Sequence, residues 1–412
     1  MPKEHRPVMG VEQALEHILA TVHVLEPERV PLLQAAGRVL TETVTADRDI
    51  PPLTNSAMDG YAVRGADLEQ AEFPVRLRVV GEVAAGYVST VQVTPGTAVR
   101  IMTGAPVPNG ADTVVRFEDT RQDGDWVEVL EPYVTDINVR PAGEDVRAGQ
   151  VVLEPGMVLR PQEIGMLAAV GQVEVSVVRR PRVAILATGD EVVPPDQPPG
   201  PGQIRDANSY AVAAQVQVFG GIPILLGVAR DQEALVRQGM RDALDRGADF
   251  IITSGGVSVG DFDLVKQVLA AEGEMHFWSL NMKPGRPLAF GVVDSVPLMG
   301  LPGNPVAAML STELFGRPAI LKMQGFIEWP RPTVQARLSQ PITRQDDRRR
   351  YLRVRLHETC AGYEATRTGD QGSGILNSLV QADGLAVIRE GTGPLPAGAE
   401  VEVLLLPRVG WL

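Results

Sequence analysis

Cysteine is almost missing from this chain: Cys360 is the only one in 412 residues. A single thiol cannot close an intrachain disulfide, so no oxidising compartment is required and a cytoplasmic location is expected. Histidine is nearly as sparse. His5, His17, His23, His276 and His357 are scattered along the chain, and none has the spacing of a zinc pair. No run of about 18 apolar residues occurs, so no spanning helix is expected. The opening Met-Pro-Lys-Glu-His-Arg-Pro has no apolar stretch, so no secretion signal is expected either. Positive charge is in deficit: 38 Lys plus Arg stand against 51 Asp plus Glu, a formal net charge of −13. Nucleic-acid binding needs a basic surface to meet phosphates, so that class of partner is set aside. A local basic patch for a small anion is not excluded.

What is present is a chain with core enough for two to four domains, 44% of it hydrophobic. Apolar residues at Val11, Leu15, Ile18, Leu19 and Val22 predict a helix over 11–25 with one buried face. Residues 27–46 turn and extend, and from 47 to 144 short valine-rich segments alternate with Gly and Pro turns, which reads as a small β-domain. Residues 145–178 are again strand-rich with a helix near 162–170, and with 1–46 they make a mixed linking domain. After Pro181, strands predicted at 182–187, 222–228 and 249–253 alternate with helices at 208–219, 232–246 and 263–271. That alternation predicts a doubly wound, mostly parallel α/β domain over 179–327. Extended segments at 276–280, 288–293 and 297–300 and a helix from Pro305 to about Met323 close it. Residues 328–412 are β again, with strands at 333–338, 351–356, 362–366, 385–389 and 400–405, and predict a barrel-like domain. The fold class is therefore α/β plus β, in several domains.

The strongest local signal is Ile252-Thr-Ser-Gly-Gly-Val-Ser-Val-Gly-Asp-Phe-Asp263. A buried strand runs into a Gly/Ser loop and then a helix, an arrangement that turns backbone N–H groups toward an anion. It lacks the Gly-Lys-Ser/Thr of a Walker loop. Acidic residues recur after the parallel strands: Asp190 and Glu191, then Asp231, then Asp261 and Asp263. Ligands of open α/β sheets bind at that carboxyl edge, and carboxylates beside an anion cradle suit a hard cation holding phosphate oxygens. Asn281-Met-Lys-Pro-Gly-Arg-Pro287 and Gly300-Leu-Pro-Gly-Asn-Pro305 add proline-fixed loops carrying Lys283 and Arg286. Each piece alone also has a plainer reading as a tight turn, a helix cap or an exposed loop.

Eight such segments occur in one order: Asn55-Ser-Ala-Met-Asp-Gly-Tyr, Met102-Thr-Gly-Ala-Pro, Gly143-Glu-Asp, Thr188-Gly-Asp-Glu, Ser254-Gly-Gly-Val-Ser-Val-Gly, Met282-Lys-Pro-Gly-Arg-Pro, Gly300-Leu-Pro-Gly-Asn-Pro and Gln371-Gly-Ser-Gly. Together they resemble the MoeA/gephyrin E-domain family of molybdopterin molybdotransferases over nearly the whole chain. The resemblance implies four domains and an elongated homodimer, with the active site between the α/β domain of one subunit and the small β-domain of the other. It implies adenylylated molybdopterin and molybdate as substrates, Mg²⁺ as cofactor and AMP as product. A contact with the adenylyltransferase of the same pathway is implied as well.

Residue by residue, the resemblance assigns Glu191, Asp231 and Asp263 to Mg²⁺ and the phosphate end. Ser254, Gly255, Gly256, Ser258 and Gly260 would cradle the pterin or its phosphate. Lys283, Arg286, Pro302 and Pro305 would line the anion end, and Arg353 and Ser373 would help bind molybdate. Asp59, Thr103 and Asp145 would close the site. One departure stands out: Ser279 follows Phe277-Trp278 where the family commonly has lysine. That departure is the main support for the competing reading, a non-catalytic pterin-binding scaffold.

Overall fold

The computed structural model describes residues 8–69, 71–256, 267–269, 271 and 273–406. The chain forms two compact units, residues 29–177 and residues 1–28 with 178–412.

In the 29–177 unit, six strands form one sheet in the order Thr113–Arg116, Gly60–Val63, Thr97–Ile101, Val75–Val83, Trp126–Val129, Thr120–Asp123. Val75–Val83 and Thr97–Ile101 run parallel, and the other neighbours are antiparallel. All four residues of Gly60–Val63 are buried. Strand alternation explains this: Tyr61 and Val63 enter one core and Ala62 the opposite one, so the sheet is covered on both faces. A separate core beside it gathers Leu40, Val44, Leu159, Leu167 and Val175 around the helix Pro161–Ala169. That helix begins with proline, which has no N–H to leave unpaired, and Glu163 Oε2 accepts from the Arg160 N–H at 2.8 Å.

The other unit holds a six-stranded sheet in the order Ile222–Ala229, Arg182–Thr188, Phe250–Ser254, Val296–Leu301, Pro287–Val293, Gly273–Ser279. The first four are parallel, and Pro287–Val293 runs antiparallel to both of its neighbours. The mostly parallel expectation thus meets an antiparallel edge. Its hairpin turns on Asp294 and Ser295, both at positive φ (46° and 69°), which lets two residues reverse the chain with the twist of the strands. Val183 and Ile185 face one core and Ala184 and Leu186 the other. Asn208–Val218 packs into the first through Val212 and Val216, and Glu233–Asp245 into the second through Val236, Met240 and Ala243. Helices on opposite faces are what make the domain doubly wound. Asp249 ties the strand starts together, accepting from Arg179 twice at 2.6 Å and from the Arg182 N–H at 2.7 Å.

The N-terminal helix is Val11–Thr21, shorter than its apolar periodicity predicted. It stops because the chain turns extended at Val22, and the Leu25 N–H is taken by the Met323 carbonyl at 2.9 Å. The short helix Leu32–Ala35 breaks the stretch expected to be wholly turn and strand. The predicted helix 263–271 lies outside the described residues except for 267–269 and 271, which are helical. The helix from Pro305 is interrupted by a π-helical turn, Thr312–Gly316, before Arg317–Met323 completes it.

At the C-terminal end, Thr333–Leu338, Arg349–Thr359, Gly362–Arg367, Gly384–Ile388 and Glu400–Leu405 close into a five-stranded barrel. Ala336, Val354, Ala365, Ala386 and Val403 fill it. Cys360 is exposed at the turn between its second and third strands. No helix among the described residues is long and apolar enough to cross a membrane.

Candidate active site

Three loops meet at the carboxyl edge of the parallel strands. They are 188–191 after the strand Arg182–Thr188, 254–256 after Phe250–Ser254, and 301–305 after Val296–Leu301. Their backbones touch: the Gly255 N–H donates to the Leu301 carbonyl at 3.2 Å, and the Gly303 Cβ position lies 3.8 Å from Gly255 Cα. Gly255 sits at φ +89°, and a Cβ there would meet the Thr188 carbonyl oxygen at 2.3 Å. Gly256 is also at positive φ, +64°. Glycine is thus required at 255 by conformation and by space. Gly255→Ala is expected to cost at least about 1–3 kcal/mol for the forced backbone alone. Thermal denaturation, at about 2–4 °C per kcal/mol in a unit of this size, should show a clear drop in melting temperature.

Around these loops lies a cavity of about 90 Å³ lined by Thr188, Glu191, Asp206, Asn208, Ser254 and Pro305, among others. Asn208 was not foreseen from the sequence. Its Nδ2 donates to Ser254 Oγ at 2.7 Å and to the Gly303 carbonyl at 2.8 Å, so one amide spans two of the loops. Asp206 Oδ1 accepts from the Ser209 N–H at 2.9 Å and caps the helix on which Asn208 stands. The Asp-Ala-Asn-Ser run at that helix start was the available signal. Thr188 Oγ1 is buried in this wall with no hydrogen-bond partner. An unpaired buried hydroxyl is costly, and a polar ligand in the cavity would satisfy it.

Two of the acidic loops meet. The Asp231 N–H donates to Asp190 Oδ1 at 3.2 Å. Partial burial, and then the charges of Asp190 and Glu191, push the Asp231 carboxyl above its ordinary range. This crowding of negative charge fits a bound cation, which would relieve it. Among the described residues no three acidic, histidine or cysteine side chains form a ready ligand set. Asp263, Ser258 and Gly260 lie outside the described residues.

A second cavity, of about 430 Å³, lies in the same unit against the barrel and is lined by Lys283, Arg344, Arg350, Arg353, Arg367, Asp370 and Gln371, among others. Lys283 stands 3.7 Å from Asp346, whose carboxyl is held down at about 2 by the Arg348 guanidinium first and by Lys283 last. Arg353 is only 1% exposed. Its Nε donates to Ser378 Oγ at 3.0 Å and its Nη2 to the Gly372 carbonyl at 2.9 Å. The Ser373 carbonyl accepts from the Val306 N–H at 3.1 Å, joining the 371–374 loop to the helix that starts at Pro305. Pro302 is buried, and Arg286 is exposed.

In the 29–177 unit, Asp59 and Thr103 come together across 44 residues of sequence. Asp59 Oδ1 accepts from the Thr103 N–H at 2.7 Å and from its Oγ1 at 2.8 Å. Those bonds, the backbone one first, hold the Asp59 carboxyl below its ordinary range. Asp145 is held through its backbone to the 50–51 turn. The Ser56 N–H donates to the Ala105 carbonyl at 2.9 Å, the Gly143 N–H to the Pro51 carbonyl at 3.0 Å, and the Asp145 N–H to the Ile50 carbonyl at 3.0 Å.

A doubly wound sheet with a glycine turn and carboxylates at one edge, followed by a barrel beside a cavity rich in arginine, defines a multidomain α/β protein. Comparison with known proteins narrows this. The MoeA N-terminal region (domain I and II) matches residues 9–171, a probable molybdopterin binding domain matches 184–322, and the MoeA C-terminal region (domain IV) matches 335–406. A molybdopterin molybdenumtransferase of Nostoc is 41% identical over 390 residues, covering 93% of this chain and 89% of the relative. Molybdopterin molybdenumtransferase 2 of Mycobacterium tuberculosis is 36% identical over 403 residues, 96% of this chain and 98% of the relative. The crystal structure of a molybdopterin biosynthesis MoeA protein from Pyrococcus horikoshii superposes with a TM-score of 0.80 at 33% identity, covering 97% of this chain and 100% of that one. The chain belongs to the molybdopterin molybdenumtransferase (MoeA) family.

Proposed function

We propose that this chain inserts molybdate into the dithiolene of adenylylated molybdopterin, with Mg²⁺-dependent release of AMP. The observation that carries the reading is the pairing, within one unit, of a carboxylate-bearing sheet edge with a basic cavity. The first suits a phosphate-bound cation and the second a tetrahedral dianion. The thiolates that attack molybdenum belong to the pterin substrate, so the protein needs no thiol of its own. Its one cysteine, Cys360, is exposed on a barrel turn.

The residues divide the work by position. Ser254, Asn208 and the unpaired Thr188 hydroxyl offer the polar contacts for the pterin phosphate end, and Gly255 and Gly256 let the backbone approach it. Ser258 and Gly260 are assigned to the same cradle. Glu191 and Asp231, with Asp263, would hold Mg²⁺. Mg²⁺ when bound would neutralise phosphate charge as AMP leaves. Lys283, Arg286, Pro302, Pro305, Arg353 and Ser373 are assigned to the oxyanion end. Catalysis is then mainly placement and electrostatics.

We assign Asp59, Thr103 and Asp145 to the same reaction through a homodimer, each copy's 29–177 unit serving the other. A cytoplasmic location and a transient contact with the adenylyltransferase that supplies the substrate complete the proposal.

The test is a single-turnover assay with adenylylated molybdopterin, Mg²⁺ and millimolar molybdate, following AMP. Release that depends on molybdate is expected. Tight substrate binding with no release would instead support the non-catalytic scaffold, with Ser279 as the first residue to examine.

A further inference from the structure

Three arginines follow one another at the start of the barrel strand Arg349–Thr359, and they have different fates. Arg348 is paired with Asp346, its Nε at 2.8 Å and its Nη2 at 2.9 Å from the two carboxylate oxygens. Arg349 is paired with Glu12 and with Glu390. Arg350 is 8% exposed, and its Nε and Nη2 are buried without a hydrogen-bond partner. The charge that acts on it is Asp346, whose oxygens already serve Arg348 and Lys283. A guanidinium stays charged when buried, and a buried charge without a partner is strongly disfavoured.

The surroundings say what partner would fit. Arg350 lines the 430 Å³ cavity with Lys283, Arg344, Arg353 and Arg367, against one lining carboxylate, Asp370. Arg350 and Lys283 are register partners where Met282–Lys283 lies parallel to the barrel strand, so two cations enter the cavity from adjacent backbones. Arg353 is differently placed. Its Nε and Nη2 are spent on Ser378, Asp370 and Gly372, and it shapes the wall of the cavity. Burial draws the Arg350 charge down from its ordinary stability, and an anion in the cavity would restore it.

We propose that Arg350 is a binding residue for the tetrahedral oxyanion, donating from its unpartnered Nε and Nη2 to a molybdate-class dianion held between it and Lys283. The assignment rests on the reaction proposed above. It adds a residue that none of the eight family-like segments contains, and it supplies a cation in a chain whose position 279 is serine.

Molybdate binding by the full-length chain, measured by titration calorimetry, tests it with Arg350→Gln and Arg350→Lys. Charge-assisted bonds of this kind predict that Arg350→Gln weakens molybdate at least about tenfold and that Arg350→Lys recovers most of the loss. Without molybdate, Arg350→Gln should melt no lower than the wild type, because it removes an unpaired buried charge. Added molybdate should raise the melting temperature of the wild type more than that of the glutamine variant. Unchanged molybdate affinity in Arg350→Gln overturns the assignment and leaves the proposed reaction standing. Weakened binding of AMP with unchanged molybdate also overturns it, placing the guanidinium on a phosphate instead. A wild type that neither binds molybdate nor releases AMP in its presence overturns the reaction, and Arg350's role with it.

Discussion

Asp59→Asn is expected to lower molybdate-dependent AMP release by about 10²–10³-fold, the loss typical of removing one fixed electrostatic contact in a site. The melting temperature should stay near that of the wild type. Both expectations come from one geometry. The Thr103 N–H and Oγ1 both end on Asp59 Oδ1, at 2.7 and 2.8 Å. Asparagine keeps an oxygen in that place, so the loop 102–106 stays joined to 55–59 through its own backbone bonds. What is lost is the negative charge, which the Thr103 bonds otherwise hold in its ionised form below the ordinary carboxylate range. Single-turnover kinetics beside a circular-dichroism melt would separate the two effects. Near-normal turnover would remove Asp59 from the chemistry, and a collapsed melt would make it a structural residue.

For Asp231→Asn, activity and stability should move in opposite directions. Turnover should fall by a comparable factor, because a proposed Mg²⁺ ligand loses its charge. Stability without Mg²⁺ should hold or rise at neutral pH. The sign follows from linkage. Burial and the neighbouring Asp190 and Glu191 raise the folded-state carboxyl above its ordinary range. Between the unfolded and the folded pKa the native state holds more proton than the unfolded chain, so stability falls as pH rises through that window. Above it the ionised Asp231 is a net liability, and asparagine removes the liability. The group is largely exposed, so solvent screening keeps the effect small. Mg²⁺ should stabilise the wild type and do less for the variant. Equal stabilisation of both, measured by thermal melts across pH 4–8, would place the ion elsewhere.

The Asp59–Thr103 contact shows where reading the residues one at a time reaches its limit. Asp59-Gly60 is by itself a turn signal, and Met102-Thr-Gly-Ala-Pro is unremarkable alone. Only their common order with the other segments linked them before the backbone bonds between Ser56 and Ala105 did so physically. The central strands of the α/β domain were legible because they are short apolar runs with neighbours on both faces, as Val183–Leu186 shows. The apolar period of 11–25 continues past the helix end at Thr21, where a tertiary bond to Met323 takes the Leu25 N–H.

Local pattern alone therefore determined the alternation of strand and helix, the β character of both flanking regions, and the glycine and carboxylate positions at the sheet edge. Each depends on residues within a few positions of one another, where periodicity and turn chemistry act directly. Tertiary structure decided which charges are satisfied. Arg348, Arg349 and Arg350 are identical in sequence, yet two meet carboxylates and the third does not. Asn208 became a bridge between loops only when the helix Asn208–Val218 was set against Ser254 and Gly303. A charge or an amide carries no mark of its partner in its own neighbourhood. Its energy is set by groups that folding brings near, from up to 337 residues away for Glu12 and Arg349.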